Sequence, residues 1–253
     1  MSAETYFSLI DAGELDALQT MLGETPDALQ LRDEEQRTGL HRAIEAEQTE
    51  VACWLIEAGT DIEARNSGGR APLHDAIEHG IGEVCELLIE RGAEIDVCSA
   101  AILGALERLE ELLDADPELA NDRSTELSPL GWAAFGNRVD SAELLIQRGA
   151  LMDDGELLCA ALVGHVEIGK FLIEHGADPN EIHDGPDANA LHAACVLRYT
   201  HDTSEFVQML LDSGADPSIP AGNGKTALEI ARVHQGRSED PSRRFDLVIE
   251  LLQ

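Results

Sequence analysis

The sequence predicts an all-α protein built from one helical hairpin used many times, and two observations support this. Aromatic residues make up only 4% of the 253 residues, so the core must consist mainly of Leu, Ile, Val and Ala, which favours helix packing. The stretch T-G-L-H-R-A-I-E from Thr38 matches A-P-L-H-D-A-I-E from Ala71. A single hairpin cannot bury its own apolar face, so such units are expected to stack into a solenoid.

Each unit opens with residues that start a helix. Thr38, Ser128 or Thr226 precedes the first helix and can accept a hydrogen bond from its free N–H groups. Pro72 and Pro129 follow such positions and are tolerated there, because the first helical residue needs no N–H donor. The first helix of each unit is therefore expected to begin at these points.

Glycines mark the ends of the helices. Those after the second helix can adopt the left-handed backbone that ends it, and they are Gly92, Gly149, Gly176 and Gly214. Between the two helices the residues suited to positive φ are Gly80, Gly104, Asn137 and Gly164. Glu47 occupies this position in the second unit, and we expect its turn to have a different geometry.

These motifs resemble the ankyrin repeat, whose pattern runs G-x-T-P-L-H-x-A-A, then V-x-x-L-L and G-A-D. The resemblance covers essentially the whole chain and implies a solenoid of about eight stacked hairpins with short β-turn fingers. The anchor of each first helix is Leu9, Ala43, Ala76, Ala100, Ala133, Ala160, Ala194 or Ala231. One domain over residues 1–253 is expected, with an N-terminal capping unit 1–36, central repeats 37–220 and a C-terminal capping repeat 221–253.

Some units depart from the pattern. The spacing into Ala100 and into Ala160 is short, so two fingers are expected to be truncated. The fourth unit resembles the divergent repeats of bacterial ankyrin proteins. Insertions at residues 198–203 and 234–245 are expected to lengthen the turns of the seventh and eighth hairpins.

Composition restricts the partners. Fifty acidic and seventeen basic residues give a formal net charge of −33, which disfavours binding to nucleic acid or to an anionic membrane surface. Five scattered cysteines without a C-x-x-C motif indicate reduced thiols. With no leader segment or long apolar run, the prediction is a cytoplasmic monomer.

The stretch Gly224-Lys225-Thr226 looks like the end of a phosphate-binding loop. That motif requires a glycine where this chain has Ile219, and no buried strand precedes it. The stretch instead aligns with the opening of the eighth repeat, which makes Thr226 a helix cap and Lys225 a finger-tip residue.

No catalytic, cofactor or metal site is predicted. His41, His74 and His192 belong to separate units about 10 Å apart, too far for one zinc ion, and are expected to hydrogen-bond finger backbone. The run His201 to Glu205 contains acid, base and hydroxyl groups, but a loop with Thr203 or Ser204 as helix cap is the simpler interpretation.

The resemblance implies that a partner contacts the finger tips and the first helices. Beside the turns this surface is apolar in four middle units, at Ile102, Leu103, Phe135, Leu162, Val163, Val196 and Leu197, with Trp132 nearby. Toward the N-terminus it is polar, at Arg37, Glu45, Arg70, Glu78 and His79. The apolar residues form either an exposed partner site or a buried seam under the shortened fingers.

The resulting hypothesis is a non-catalytic module that binds another protein on its concave first-helix and finger face. The alternative is an acidic mimic of nucleic acid that inhibits a basic protein. An enzyme ranks last, because no site assembles.

Overall fold

The computed structural model describes residues 3–152, 155–183, 187–196, 202–237 and 244–253. Within these ranges the chain forms sixteen α-helices and no β-strand, with 3-10 helices at Pro26–Gln30 and Pro117–Asn121. The helices pair into eight successive hairpins, as predicted. They are α1 (Ala3–Asp11), α2 (Leu15–Glu24), α3 (Gly39–Glu45), α4 (Thr49–Glu57), α5 (Pro72–Glu78), α6 (Gly82–Glu90), α7 (Val97–Leu103), α8 (Leu106–Ala115), α9 (Pro129–Phe135), α10 (Val139–Gln147), α11 (Glu156–Val163), α12 (Val166–Glu174), α13 (Ala190–Ala194), α14 (Ser204–Asp212), α15 (Ala227–Arg237) and α16 (Phe245–Leu251).

Backbone contacts divide the chain into two compact units. The N-terminal unit comprises Met1–Ser99 and Asp122–Glu126, and the C-terminal unit comprises Ala100–Asn121 and Leu127–Gln253. The single domain over residues 1–253 stays a prediction.

The core of the N-terminal unit lies where successive hairpins stack. Helix α1 packs on α3, and α3 packs on α5. Ala43 and Ala76 are fully buried at these contacts, because a methyl side chain lets two first helices approach closely. On the second-helix side, Leu55 of α4 and Leu88 of α6 are fully buried.

The C-terminal unit repeats this arrangement. Helix α11 packs between α9 and α13, and the anchors Ala133, Ala160 and Ala194 are fully buried. On the second-helix side, a Cβ at Gly169 would lie 2.6 Å from a ring carbon of Phe206. Glycine is therefore required where α12 meets α14.

The two truncated fingers are present. Helix α6 ends at Glu90 and α7 begins at Val97, whereas the full-length finger between α4 and α5 runs over residues 58–71. At the second short connection, α10 ends at Gln147 and α11 begins at Glu156.

The first part of the insertion at residues 234–245 differs from expectation. Helix α15 runs through Arg237, so the first part of the 234–245 insertion extends this helix instead of lengthening the turn. The cause is that no proline interrupts the helix between Ala227 and Arg237. Residues 238–243 and residues 197–201 of the other insertion lie outside the described residues.

The turn at Glu47 has the same geometry as its glycine counterparts, so the expected difference is wrong. Glu47 adopts φ +55°, close to +54° at Asn137 and +67° at Gly80. The Gln48 N–H donates to the Ala43 carbonyl at 2.8 Å, as the Ile81 N–H does to Ala76 at 3.0 Å. The stacked hairpins impose this turn on a residue with a Cβ, at a conformational cost.

We expect Glu47→Gly to raise the free energy of unfolding by up to about 1 kcal/mol. The change relieves a left-handed conformation that costs an L-residue roughly 1–2 kcal/mol, and glycine's larger backbone entropy in the unfolded chain offsets part of it. Urea denaturation followed by circular dichroism measures the effect.

Two controls distinguish the effect of the backbone conformation on stability from the effect of the side-chain charge. Glu47→Gln keeps the strained backbone and should leave stability unchanged. Gly80→Ala should cost about 1 kcal/mol from φ alone, because no atom lies within 4 Å of a Cβ at that position. Equal stability of Glu47→Gly and Glu47→Gln would contradict the prediction.

Candidate functional site

The predicted apolar residues of the C-terminal unit divide into accessible and buried sets. Leu103, Phe135, Leu162, Val163 and Val196 are half-buried, so a shortened finger does not fully cover Leu103 or Val163. Leu197 lies outside the described residues.

Two of the predicted contact residues are corrected by their burial. Ile102 is only 4% exposed, because Gly136 of the next hairpin has no side chain and lets Ile102 pack against its backbone. Trp132 is 1% exposed and packs edge-on against Phe135, with ring centroids 6.3 Å apart. Neither side chain is available to a partner in this structure.

Beyond Val196 the apolar face opens into a pocket of about 480 Å³, here named the C-terminal pocket. It lies among the first helices α11, α13 and α15 and the finger before α15. The residues that line it are Leu158, Leu162, Ala188, His192, Ala193, Val196, Ala221, Asn223, Lys225, Ile230, Val233, His234 and Arg237.

The sequence predicted only part of this pocket. Leu162 and Val196 were expected at the binding face, whereas His234 and Arg237 were expected in a loop. A helical pattern was present, because Ile230, Val233, His234 and Arg237 have the spacing that places residues on one face of a helix.

The stretch Gly224-Lys225-Thr226 opens helix α15, which confirms that interpretation. The Thr226 N–H donates to Glu229 Oε2 at 2.9 Å, and the Glu229 N–H donates to Thr226 Oγ1 at 3.4 Å. This reciprocal pair is a capping box. Lys225 is exposed at the tip of the preceding turn.

His41 and His192 form hydrogen bonds with backbone groups, as predicted. Nδ1 of His41 accepts from the Thr38 N–H at 3.2 Å, so the neutral ring carries its proton on Nε2, which donates to the Arg70 carbonyl at 3.1 Å. His192 makes the same link to the Ile219 carbonyl at 3.0 Å. Each ring joins its helix start to the next finger.

His74 finds a different acceptor because the finger after it is truncated. Its Nε2 lies 3.2 Å from Asp96 Oδ1 and 3.3 Å from Ser99 Oγ. Burial opposes ionisation of Asp96, but hydrogen bonds from His74, the Ser99 N–H and Arg65 hold the pKa of this carboxyl far below its usual range. A carboxylate thus replaces the missing finger carbonyl.

The candidate cap of α14 is also corrected. Thr203 Oγ1 donates to the Ala194 carbonyl at 2.6 Å, which ties the loop back to α13. Thr203 occupies the N-cap position, but its side chain accepts no hydrogen bond from the first turn. Just before it, Asp202 Oδ1 accepts from the Ser204 N–H at 2.8 Å, which forms an Asx turn. His201 lies outside the described residues.

The predicted polar contact residues of the N-terminal unit form ion pairs within the chain. Arg37 lies 2.7 Å from Glu45, and Arg70 contacts Glu78 at the same sequence offset one repeat later. Each pair joins the finger to the end of its first helix. His79, beside the turn, is exposed. A partner contact at these residues stays a prediction.

Other chemistry is limited in the part of the chain that the structure describes. No group of three or more His, Cys, Asp or Glu side chains there could hold a metal ion. Burial raises the pKa of the Cys98, Cys159 and Cys195 thiols to about 12, so these cysteines are not thiolates. Cys53 and Cys85 are half-buried.

Comparison with known proteins agrees with this architecture. A family model described as three copies of ankyrin repeats matches residues 8–99, 97–183 and 157–240. The chain belongs to the ankyrin repeat family. Ankyrin repeats are protein–protein interaction modules and, as a fold, generally non-catalytic scaffolds.

Curated relatives match this ankyrin chain over short segments. Human palmitoyltransferase ZDHHC13 is 34% identical over 106 residues, which cover 39% of this chain and 17% of the relative. Alpha-latrocrustotoxin-Lt1a of Latrodectus tredecimguttatus is 31% identical over 160 residues, which cover 56% of this chain and 11% of the toxin. The chain thus spans less than a fifth of the length of either relative.

Among solved structures, the crystal structure of the human ASB11 ankyrin repeat domain matches 98% of this chain and 97% of its own chain. The TM-score is 0.42 and the sequence identity is 21%.

In the described part of this chain, no helix combines the length and the apolar character needed to span a membrane.

Burial of His41 makes the stability of the protein dependent on pH. Burial lowers the pKa of folded His41 to about 4, whereas the unfolded chain binds this proton near pH 6.5. The stability due to neutral His41 is therefore fully present above pH 6.5 and is lost as the pH falls toward 4, by up to about 3 kcal/mol.

A comparison with His41→Gln isolates this effect. At about pH 7.5 the variant should be less stable by about 2 kcal/mol, because the Thr38 N–H and the Arg70 carbonyl lose their partner. The difference from wild type should shrink by about pH 5 in urea denaturation. Exposed His79→Gln is the control and should match wild type at both pH values, and a His41 difference that does not change with pH would contradict the prediction.

Proposed function

We propose that the chain binds a segment of a partner protein, without catalysis, along the first-helix face of its C-terminal unit. The observation that carries this proposal is the series Phe135, Leu162, Val163 and Val196. These apolar side chains flank the turns of three successive hairpins and are half-buried instead of covered by the chain. A partner segment would remove this apolar stripe from water, which favours binding.

In this proposal the N-terminal unit does not provide the binding face. Its arginines Arg37 and Arg70 are held by carboxylates of the same unit, so their charges are already compensated. Binding through these pairs would require breaking them. The apolar stripe is free of that cost, and this supports the C-terminal unit as the binding face.

The net charge of −33 adds a kinetic contribution. It speeds encounter with a partner that carries basic residues, an effect that added salt weakens. Contact with the apolar stripe persists in salt. An inhibitor that mimics nucleic acid would instead lose its binding as salt rises. The cytoplasmic location and the monomeric state stay predictions.

The proposal predicts that replacing Phe135, Leu162 and Val196 together with Asp abolishes partner capture. Charged groups in the stripe would have to lose water on binding, and we expect affinity to fall more than tenfold. Affinity capture from native cell extract, quantified by mass spectrometry with isotopic labels, measures the loss. Circular dichroism should show unchanged helix content.

A matched control uses exposed apolar residues outside the stripe. Leu106, Leu151 and Ile182 are 37%, 57% and 39% exposed, and their joint replacement with Asp makes the same charge change. This control should capture the same proteins as wild type. Phe135→Ala alone, a milder change, should weaken capture if the triple variant unfolds. Equal capture by the stripe variants and the control would remove the stripe as the binding face.

A further inference from the structure

The C-terminal pocket differs in charge from the rest of the protein. The whole chain has about three acidic residues for each basic one. Among the described residues that line this pocket none is acidic, whereas Lys225 and Arg237 are basic. The pocket is a local exception to the acidic surface.

We propose that the C-terminal pocket binds a peptide segment of the partner protein in which a large apolar side chain lies next to an Asp or Glu carboxylate. This inference rests on the proposed function and adds the chemistry of the segment that ends in the pocket.

The floor of the pocket is apolar. Leu158 and Leu162 of α11, Val196 after α13, and Ile230 and Val233 of α15 all line it. Its volume of about 480 Å³ lies within the range of pockets that hold small ligands or groups of side chains. A large apolar side chain of the partner would therefore leave water here.

The positive charges come from two different elements. Lys225 stands on the turn before α15, where the Ala221 N–H donates to the Lys225 carbonyl at 2.9 Å. Arg237 ends the described part of α15, and neither cation makes an ion pair with a residue that the structure describes. A partner carboxylate would receive charge-assisted hydrogen bonds from them.

The two histidines of the pocket have other roles. Burial lowers the pKa of His192, which uses both ring nitrogens within the chain, so this ring is neutral. His234 stacks on Phe245 with ring centroids 6.5 Å apart. Lys225 and Arg237 are the lining side chains among the described residues that are cationic whatever the state of the histidines.

Continuity with the stripe favours a peptide as the occupant. Leu162 and Val196 belong to both surfaces, so a segment that lies along the stripe enters the pocket without a break. The acidic field of the whole chain repels free anions at long range. A carboxylate delivered beside an apolar anchor reaches the two cations by contact, where the local attraction is strongest.

Selection from phage-displayed random peptides tests the inference on the full chain. We expect enrichment of sequences with Leu, Ile or Phe next to Asp or Glu. Fluorescein-labelled synthetic copies should bind wild type in anisotropy titrations. Binding should weaken at least tenfold for Lys225→Glu/Arg237→Glu and for peptides in which Asn or Gln replaces the acidic residue.

The matched control is Lys170→Glu/Arg232→Glu. It makes the same change in net charge at two exposed residues that do not line the pocket, and it should bind the peptides within about twofold of wild type. Circular dichroism should show both double variants folded. This comparison distinguishes the effect of the charges in the pocket from the long-range effect of the net charge.

Three results would overturn the inference: enrichment of basic peptides, equal binding by the two double variants, or no enriched peptide at all. The apolar anion 1-anilinonaphthalene-8-sulfonate serves as a small-molecule probe. Its pocket-dependent binding without any selected peptide would assign the pocket to a small amphiphilic anion instead.

The proposed function fails separately. Phe135 does not line the pocket, so Phe135→Ala reports on the stripe alone. Partner capture that depends on Phe135 but not on Lys225 and Arg237 removes the pocket inference and keeps the proposed function. If peptide binding depends on Lys225 and Arg237 but partner capture does not depend on the stripe, the proposed function is removed and the pocket inference is kept.

Discussion

Burial of small side chains between adjacent first helices is the contact on which both units depend. Ala43, Ala76, Ala133, Ala160 and Ala194 are fully buried at corresponding positions. No hairpin has enough apolar surface to be stable alone, so the helices persist only because their neighbours pack against them. A larger residue at one of these positions would separate two helices and affect every hairpin beyond that contact within its unit.

A polar link accompanies the apolar contact at two of the full-length fingers. There the histidine at the start of the first helix accepts from its own N-cap N–H and donates to the next finger, as His41 does to Arg70 and His192 does to Ile219. Where the finger is truncated, His74 contacts the carboxylate of Asp96 instead. The chain thus keeps a buried imidazole paired although its usual acceptor is missing, because an unpaired ring in the core would cost stability.

The two units use charge differently. In the N-terminal unit Arg37 and Arg70 are neutralised by nearby carboxylates, and each pair joins a finger to the end of its first helix. In the C-terminal unit, apolar side chains remain half-buried along the first helices, and a pocket with two cations follows them. In the function that we propose, a binding face that is apolar along its length and positive at one end would select a partner by both shape and charge.

The sequence by itself determined the repeat, the eight hairpins and most of their boundaries. These features depend on residues near one another in the chain, such as the Thr226 cap, the alanine anchors and the turn glycines. Tertiary structure decided what depends on neighbouring hairpins. It buried Ile102 and Trp132, held Glu47 in a left-handed turn and joined side chains of three hairpins in one pocket. The physical reason is that exposure is a property of packed surfaces, which a local pattern does not contain.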